Sequence, residues 1–208
     1  RLYKLKDSKN LKSKVLLGCA LSTAYSALKN KELNKLKSIC VIGCGGLGLA
    51  TILVAKKLGY KDIIAVDKVK SKLIAAKKLG ANYFFKSIDS IKKFINLDVV
   101  VECTGNINVL KNSISYPKKF GGKFVFIGNY PHKSKIDLDP LLIVQGITFM
   151  GAWNNLKPFD DMFKKLENII KEKNLKIFFG NKIYSLRNIN KALKDFENGK
   201  VIRPLIKF

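Results

Sequence analysis

Short apolar, β-branched runs alternate with stretches in which apolar residues recur every three or four positions, from Ser38 to beyond Gly151. The runs are SICVI at 38–42, DIIAVD at 62–67, NYFF at 82–85, DVVVE at 98–102, KFVFI at 123–127 and ITFMG at 147–151. Their shortness, and the glycines or polar residues that bound them, predict strands. Between them lie helical patterns. Residues 46–58 place Leu47, Ala50, Leu53, Val54 and Leu58 at helical spacing; 71–79 form a second helix closed by Gly80; 140–145 form a short third. Strand–helix alternation predicts a parallel sheet built from right-handed crossovers, and wholly apolar strands such as VVV and FVFI predict burial on both faces. The expected fold class is α/β, a doubly wound six-stranded sheet of order 3-2-1-4-5-6.

Two flanks lie outside that unit. Residues 14–28 predict a helix leading in, with Leu16, Leu17, Ala20, Ala24 and Leu28 turned inward. Beyond Trp153 the pattern predicts an amphipathic helix at 160–171, a strand at 182–185, a helix at 189–197 and a last strand at 201–207. No internal repeat or low-complexity linker interrupts the chain.

Composition narrows the function classes. At 208 residues and 47% hydrophobic content the chain can bury a large core, and no run reaches the eighteen or so apolar residues of a membrane span. Arg1 in place of a methionine, with Lys4, Lys6 and Lys9 close behind, predicts no secretory leader and a chain that is part of something longer. The net charge of +25 raises a nucleic-acid partner, but the charge is lysine: Arg1, Arg187 and Arg203 are the arginines. Lysine lacks the planar fork that reads guanine and phosphate bidentately, and the lysines are spread along the chain. The reading is no specific nucleic acid and compositional bias on solvated faces, with weak polyanion binding at low salt. Cys19, Cys40, Cys44 and Cys103 show no C-x-x-C spacing and lie in apolar segments, which predicts free thiols in a reducing cytoplasm.

The chemistry concentrates at Gly43-Cys44-Gly45-Gly46-Leu47-Gly48, a G-x-G-x-x-G turn directly after a strand and opening a helix. Gly43 permits the tight turn, Gly45 lets a pyrophosphate approach the backbone, and Gly48 lets helix and strand pack closely. Free N–H groups around Gly46 and Leu47, and the positive end of the helix dipole, suit phosphate. About twenty residues further on, Asp67 ends the second strand, where a carboxylate accepts both ribose hydroxyls of NAD and repels the 2′-phosphate of NADP. Lys68, Lys70 and Lys72 soften that repulsion, which leaves dual use of NAD and NADP open. A plain turn or capping aspartate is the bland alternative for Asp67. This is the pattern of a Rossmann, NAD-binding domain.

Together with VLLGCALSTAYSAL (15–28), ICVIGCGGLGL (39–49), IIAVDKVKSKL and the downstream AAKKLGA (63–81), DVVVECTGN (98–106) and the terminal GKVIRPLIKF, the sequence resembles the medium-chain dehydrogenase/reductase family, especially its zinc-containing alcohol dehydrogenases. The segments stand in the family's order over nearly the whole chain. The resemblance implies that Cys19 is the third catalytic zinc ligand and that Thr23 lies beside the nicotinamide, these two being the catalytic candidates. It adds Lys72 on the adenosine ribose, Thr104, Ile127 and Gly128 on the cofactor, and Arg203 on the pyrophosphate. Trp153 and Asn154 would fall near the substrate pocket. Without the motif, Cys19 reads as a buried thiol and Arg203 as a surface arginine. Cys40 and Cys103 read as strand-core residues, Cys44 as a filler of the glycine turn, and His132 as a solvated loop histidine.

The family's other zinc ligands belong to an N-terminal part that nothing before Cys19 resembles. The expectation is therefore 1–18 as the end of a catalytic-domain segment with its lead-in helix, 19–155 as the NAD-binding domain and 156–208 as a segment returning to an incomplete catalytic domain. The implied function is hydride transfer between an alcohol or polyol and NAD, assisted by zinc in the intact enzyme, with the chain alone inactive. A zinc-free NADPH-dependent quinone or enoyl reductase is the first alternative, and a basic nucleic-acid-binding protein that kept the domain a distant second. A small-molecule alcohol or aldehyde as partner, no membrane, and a homodimer or homotetramer paired through residues 147–151 complete the expectation.

Overall fold

The computed structural model describes residues 11–29, 37–94, 96–136, 138–152, 165–170 and 172–208. Six strands, β1 (Ser38–Ile42), β2 (Asp62–Val66), β3 (Tyr83–Phe85), β4 (Val99–Glu102), β5 (Lys123–Phe126) and β6 (Thr148–Gly151), form one parallel sheet of order β3-β2-β1-β4-β5-β6. The strand order and parallel pairing expected from the sequence are those found. Ile39, Val41, Ile63, Ala65, Val99, Val101 and Val125 enter the core on one face of the sheet. Cys40, Ile42, Ile64, Val66, Val100 and Phe124 enter a second core on the other. Successive side chains of a strand point to opposite faces, so an all-apolar strand feeds two cores at once.

The larger core owes its depth to the flank before the sheet. Helices α1 (Leu11–Leu16) and α2 (Ser22–Leu28) are joined by a π-helical turn at Leu17–Leu21, and the π turn and α2 pack along α3 (Gly46–Lys57). Leu16, Leu17, Ala20, Ala24 and Leu28 are all buried, as the pattern predicted, but the helix is not continuous. Held between sheet and α2, α3 is buried from Gly48 through Ala55 on every side, which explains why Leu49, Ile52 and Thr51 sit beside the expected apolar stripe.

Helix α4 (Lys70–Leu79) ends on Gly80, whose φ of +117° supplies the left-handed cap expected of a glycine there. Two further helices carry side-chain caps: Asn106 accepts from Asn108 N and Val109 N at the start of α5 (Ile107–Ser113), and Asp139 accepts from Leu141 N ahead of α6 (Pro140–Val144). Residues 160–164 and 171 of the helix expected at 160–171 lie outside the described residues; within it 165–167 are helical and a turn follows. A separate helix, α7 (Glu172–Phe179), precedes β7 (Ile183–Ser185), and α8 (Ile189–Glu197) follows it. Asp195 of α8 accepts from Lys182 Nζ at 2.8 Å and Tyr184 Oη at 2.9 Å, fastening α8 to β7.

The last strand is shorter than the expected 201–207. β8 (Leu205–Lys207) pairs in parallel with β7 in a two-stranded sheet of its own. Pro204 has no N–H for a ladder, and the Arg203 N–H is spent on the Phe178 carbonyl at 2.9 Å, so pairing starts only at Leu205. At the opposite end of the main sheet from the glycine turn, Asp98 accepts from Lys37 N (2.8 Å), Ser38 N (2.9 Å), Ser38 Oγ (3.1 Å) and Lys118 Nζ (2.5 Å). One carboxylate thereby closes the entries of β1, β4 and the segment leading to β5.

Candidate functional site

The carboxyl ends of β1, β2, β4 and β5 meet where the strand order reverses, between β1 and β4. In an open parallel sheet this crevice is where ligands sit. β1 runs into Gly43, whose φ of +91° is open to glycine at little cost. Its N–H donates to the Val66 carbonyl at 2.8 Å, so the turn is pinned to β2. A Cβ on Gly48 would stand 1.8 Å from the Gly43 carbonyl oxygen: only a glycine lets α3 start this close to the strand that leads into it. A Cβ on Gly45, by contrast, would meet no atom of the protein within 4 Å. Gly45 is thus not required by packing, and the bare backbone at the N-terminus of the twelve-residue α3 faces open space. Free backbone N–H groups at a helix N-terminus facing open space suit an anion such as phosphate.

Arg203 closes one side of this cradle. A Cβ on Gly46 would lie 2.9 Å from both Cδ and Nε of Arg203, so the guanidinium stem rests on the turn itself. The structure therefore brings Arg203 to the glycines from more than 150 residues away, rather than leaving it on an open surface.

Asp67 closes the other side. Its side chain is 9% exposed; Oδ2 accepts from Cys44 N at 2.8 Å and Oδ1 from Val69 N at 2.9 Å. Lys72 Nζ lies 4.0 Å from Oδ2. The turn-aspartate role weighed from the sequence is real, and it does not exhaust the residue: each carboxylate oxygen keeps a second acceptor position. Leu47 is half-buried over the start of α3.

Beyond β1 the wall is made by the exits of β4 and β5. Thr104 packs on the turn, its Cγ2 only 2.6 Å from where a Gly43 Cβ would be. Ile127 is 9% exposed, and Gly128 follows it at the end of β5; both N–H groups donate to the Glu102 carbonyl, at 3.1 and 3.0 Å. Glu102 itself is fully buried. Its Oε1 accepts from Thr104 N at 2.7 Å and from Thr104 Oγ1; its Oε2 accepts from Gly105 N at 3.1 Å and from Tyr130 Oη. Burial and the bond to Glu102 push the Tyr130 phenol well above its ordinary range, so it stays a donor. Reading along the sequence singled out neither Glu102 nor Tyr130. The available signal was a charged residue closing an all-apolar strand.

The cysteines divide three to one. Cys40 and Cys44 are buried, Cys103 is partly so, and burial pushes all three thiols well up. Cys19 is exposed. The π turn at Leu17–Leu21 keeps Leu17, Ala20 and Leu21 inside while turning Gly18 and Cys19 outward, so the buried-thiol reading of Cys19 is overturned. Thr23, 9% exposed, stands one turn further on. Both are on the helix packed along α3, not in the glycine turn. Among the described residues no group of three or more His, Cys, Asp or Glu is placed to hold a metal ion, so Cys19 does not make a zinc site with its neighbours there. Trp153 and Asn154 lie outside the described residues. His132 is exposed in the loop after β5, as expected of a solvated histidine.

The chain is 30% identical over 220 residues to alcohol dehydrogenase class-3 of Drosophila melanogaster, covering 100% of this chain and 58% of the relative. It is 28% identical over 218 residues to S-(hydroxymethyl)glutathione dehydrogenase of Komagataella pastoris, covering 99% and 58%. The crystal structure of benzyl alcohol dehydrogenase from Acinetobacter calcoaceticus superposes with a TM-score of 0.82 at 26% identity, over 99% of this chain and 59% of that one. The chain thus spans a little under three-fifths of the length of these relatives. A family model described as zinc-binding dehydrogenase matches residues 46–172, more than half of the chain. By sequence and by fold, the chain belongs to the zinc-binding dehydrogenase family.

Proposed function

We propose that the chain is the NAD-binding portion of a zinc-type alcohol dehydrogenase, which transfers hydride between an alcohol or polyol and NAD. The observation that carries this reading is Gly45: its missing side chain leaves room that no protein atom fills within 4 Å, in a turn whose Cys44 N–H bonds Asp67 and whose Gly46 lies under the Arg203 stem. The backbone N–H groups of Gly46, Leu47 and Gly48 at the start of α3, with Arg203, hold the pyrophosphate. Asp67 accepts from the adenosine ribose hydroxyls, and Lys72 reaches the same sugar. A carboxylate at that place disfavours a 2′-phosphate, which supports NAD over NADP. The dinucleotide then runs across the switch point to the exits of β4 and β5, where Thr104, Ile127 and Gly128 line the nicotinamide half.

When bound, NAD supplies the hydride acceptor. The chain's own part is to hold one face of the nicotinamide against Ile127 and Gly128 and to exclude water there. Thr23, on the helix along α3, is offered as the residue beside the nicotinamide. Cys19, an exposed thiol on a π turn, is offered as one zinc ligand of the intact enzyme; π turns recur at functional sites. Residues 19–155 form the nucleotide-binding unit, while the segments before and after it, including the separate β7–β8 sheet, belong to an incomplete catalytic unit. The 208-residue chain binds dinucleotide and does not turn over alcohol. Four free cysteines support a cytoplasmic location, and no described helix is long and apolar enough to cross a membrane.

Among the described residues β6 is one edge of the sheet, β3 being the other, and in α6, just before β6 in the chain, Leu141, Ile143 and Val144 are 63%, 77% and 71% exposed. An apolar patch next to an open edge supports pairing with a second copy. The reading is tested by titration calorimetry of the folded chain with NAD, NADH and NADP. Saturable binding of NAD and NADH, tighter than NADP, is expected; no association with any of them overturns it.

A further inference from the structure

Glu102 is the one fully buried carboxylate among the described residues, and nothing in the proposed chemistry uses it. Taking an ionised carboxylate out of water costs several kcal/mol, recovered only when hydrogen bonds fill its acceptor positions. Here four donors converge, two on each oxygen, and they come from two loops. Thr104 and Gly105 belong to the exit of β4; Tyr130, 28 residues after Glu102, belongs to the exit of β5.

The two loops touch backbone to backbone beneath this carboxylate. A Cβ on Gly105 would lie 2.2 Å from the Asn129 carbonyl oxygen, and one on Gly128 would lie 2.4 Å from Gly105 N and 2.5 Å from Glu102 Oε2. No side chain fits between them, so their spacing is set by what ties them together. An apolar residue at 102 would keep the backbone carbonyl's bonds from Ile127 and Gly128 but would lose the side-chain ties to Thr104, Gly105 and Tyr130. The two loops are also the wall along which the far half of a dinucleotide must run, because its near half is committed to the glycine turn and Asp67.

We propose that Glu102, through Tyr130, is the positioning residue of the nicotinamide-facing wall: it ties the loop after β4 to the loop after β5 and sets the width of the crevice. This rests on the NAD-binding reading above. Glu102 touches neither cofactor nor substrate; it acts through Thr104, Gly105 and Tyr130.

The experiment measures the affinity of the full chain and of two variants for NAD and for ADP-ribose, which lacks only the nicotinamide. In Glu102→Gln, whichever way the amide is turned, its NH2 group meets a backbone N–H, that of Thr104 or of Gly105, which cannot accept, and the loops must part. NAD binding is expected to weaken about ten-fold, and ADP-ribose binding to change by less than about two-fold. Tyr130→Phe removes one bond from a half-buried ring and leaves three donors on the carboxylate, so it keeps the fold. NAD is expected to weaken about three-fold, with ADP-ribose unchanged. Should Glu102→Gln fail to fold, Tyr130→Phe decides alone. If the variants weaken both ligands equally, or neither, Glu102 is only a strut of the fold and the proposal is overturned. If the unaltered chain binds neither ligand, it is the NAD-binding reading itself that fails.

Discussion

Two acidic residues end neighbouring parts of the same sheet, and they are used in opposite ways. Asp67, just past β2, accepts one backbone N–H on each oxygen and keeps a second acceptor position on each. Glu102, the last residue of β4, is fully buried and has both oxygens doubly filled by Thr104, Gly105 and Tyr130. The first keeps acceptor positions that a ligand could fill, and the second is already complete. A carboxylate at the C-terminal end of a strand is therefore no site by itself. Its remaining acceptor positions decide what it does.

The comparison breaks most completely if the turn shared by both halves is filled. Gly48→Val would drive a side chain into the Gly43 carbonyl oxygen, 1.8 Å from the first carbon alone. Overpacking of this kind costs about 1–3 kcal/mol or more in strain. We expect NAD and ADP-ribose binding both to vanish in calorimetry while circular dichroism still reports the sheet; retained affinity would remove the turn from the site.

A smaller loss separates the two acids. Asp67→Ala removes hydrogen bonds to a charged group, each worth about 1.5–3 kcal/mol, so affinity should fall roughly ten- to hundred-fold. The fall should be equal for NAD and ADP-ribose, and NADP should lose least. Selective loss of NAD in this variant would place Asp67 on the wrong half of the cofactor.

The third acid, Asp98, marks the far end of the sheet and should touch stability alone. Burial by itself would raise its pKa, but the bonds from Lys118, Ser38 and Lys37 outweigh that and hold it at about 2. A folded-state value depressed below the unfolded one contributes stability that is complete above about pH 4 and lost as pH falls toward 2. The shift corresponds to about 2 kcal/mol. Asp98→Asn should therefore lower the free energy of unfolding by about that much at pH 6, measured by urea denaturation. The gap to the unaltered chain should close by pH 2. NAD affinity of the folded fraction should not move. The smallest effect belongs to His132→Ala, in an exposed loop: less than about 0.5 kcal/mol in stability, and no change in affinity.

Much of the cofactor side was legible from spacing alone. The G-x-G-x-x-G turn, the strand before it and the aspartate after the next strand are local features, governed by backbone sterics and side-chain alternation. The structure returns them within a residue or so. Ends were less legible: 201–207 reads as one strand, yet the Pro204 ring and the Arg203 bond to Phe178 delay pairing to Leu205. α5 carried its own signal in the Asn106 cap, which hydrophobic periodicity does not register.

Periodicity and turn chemistry thus determined the order of elements, the parallel sheet, the glycine turn and its acid, because each depends on a few consecutive residues. Only the tertiary structure decided that Arg203 lies on Gly46, that a π turn puts Cys19 outside, and that Tyr130 completes Glu102. Those outcomes depend on which distant segments pack together and on how many donors reach one buried group. No short window of sequence contains that information.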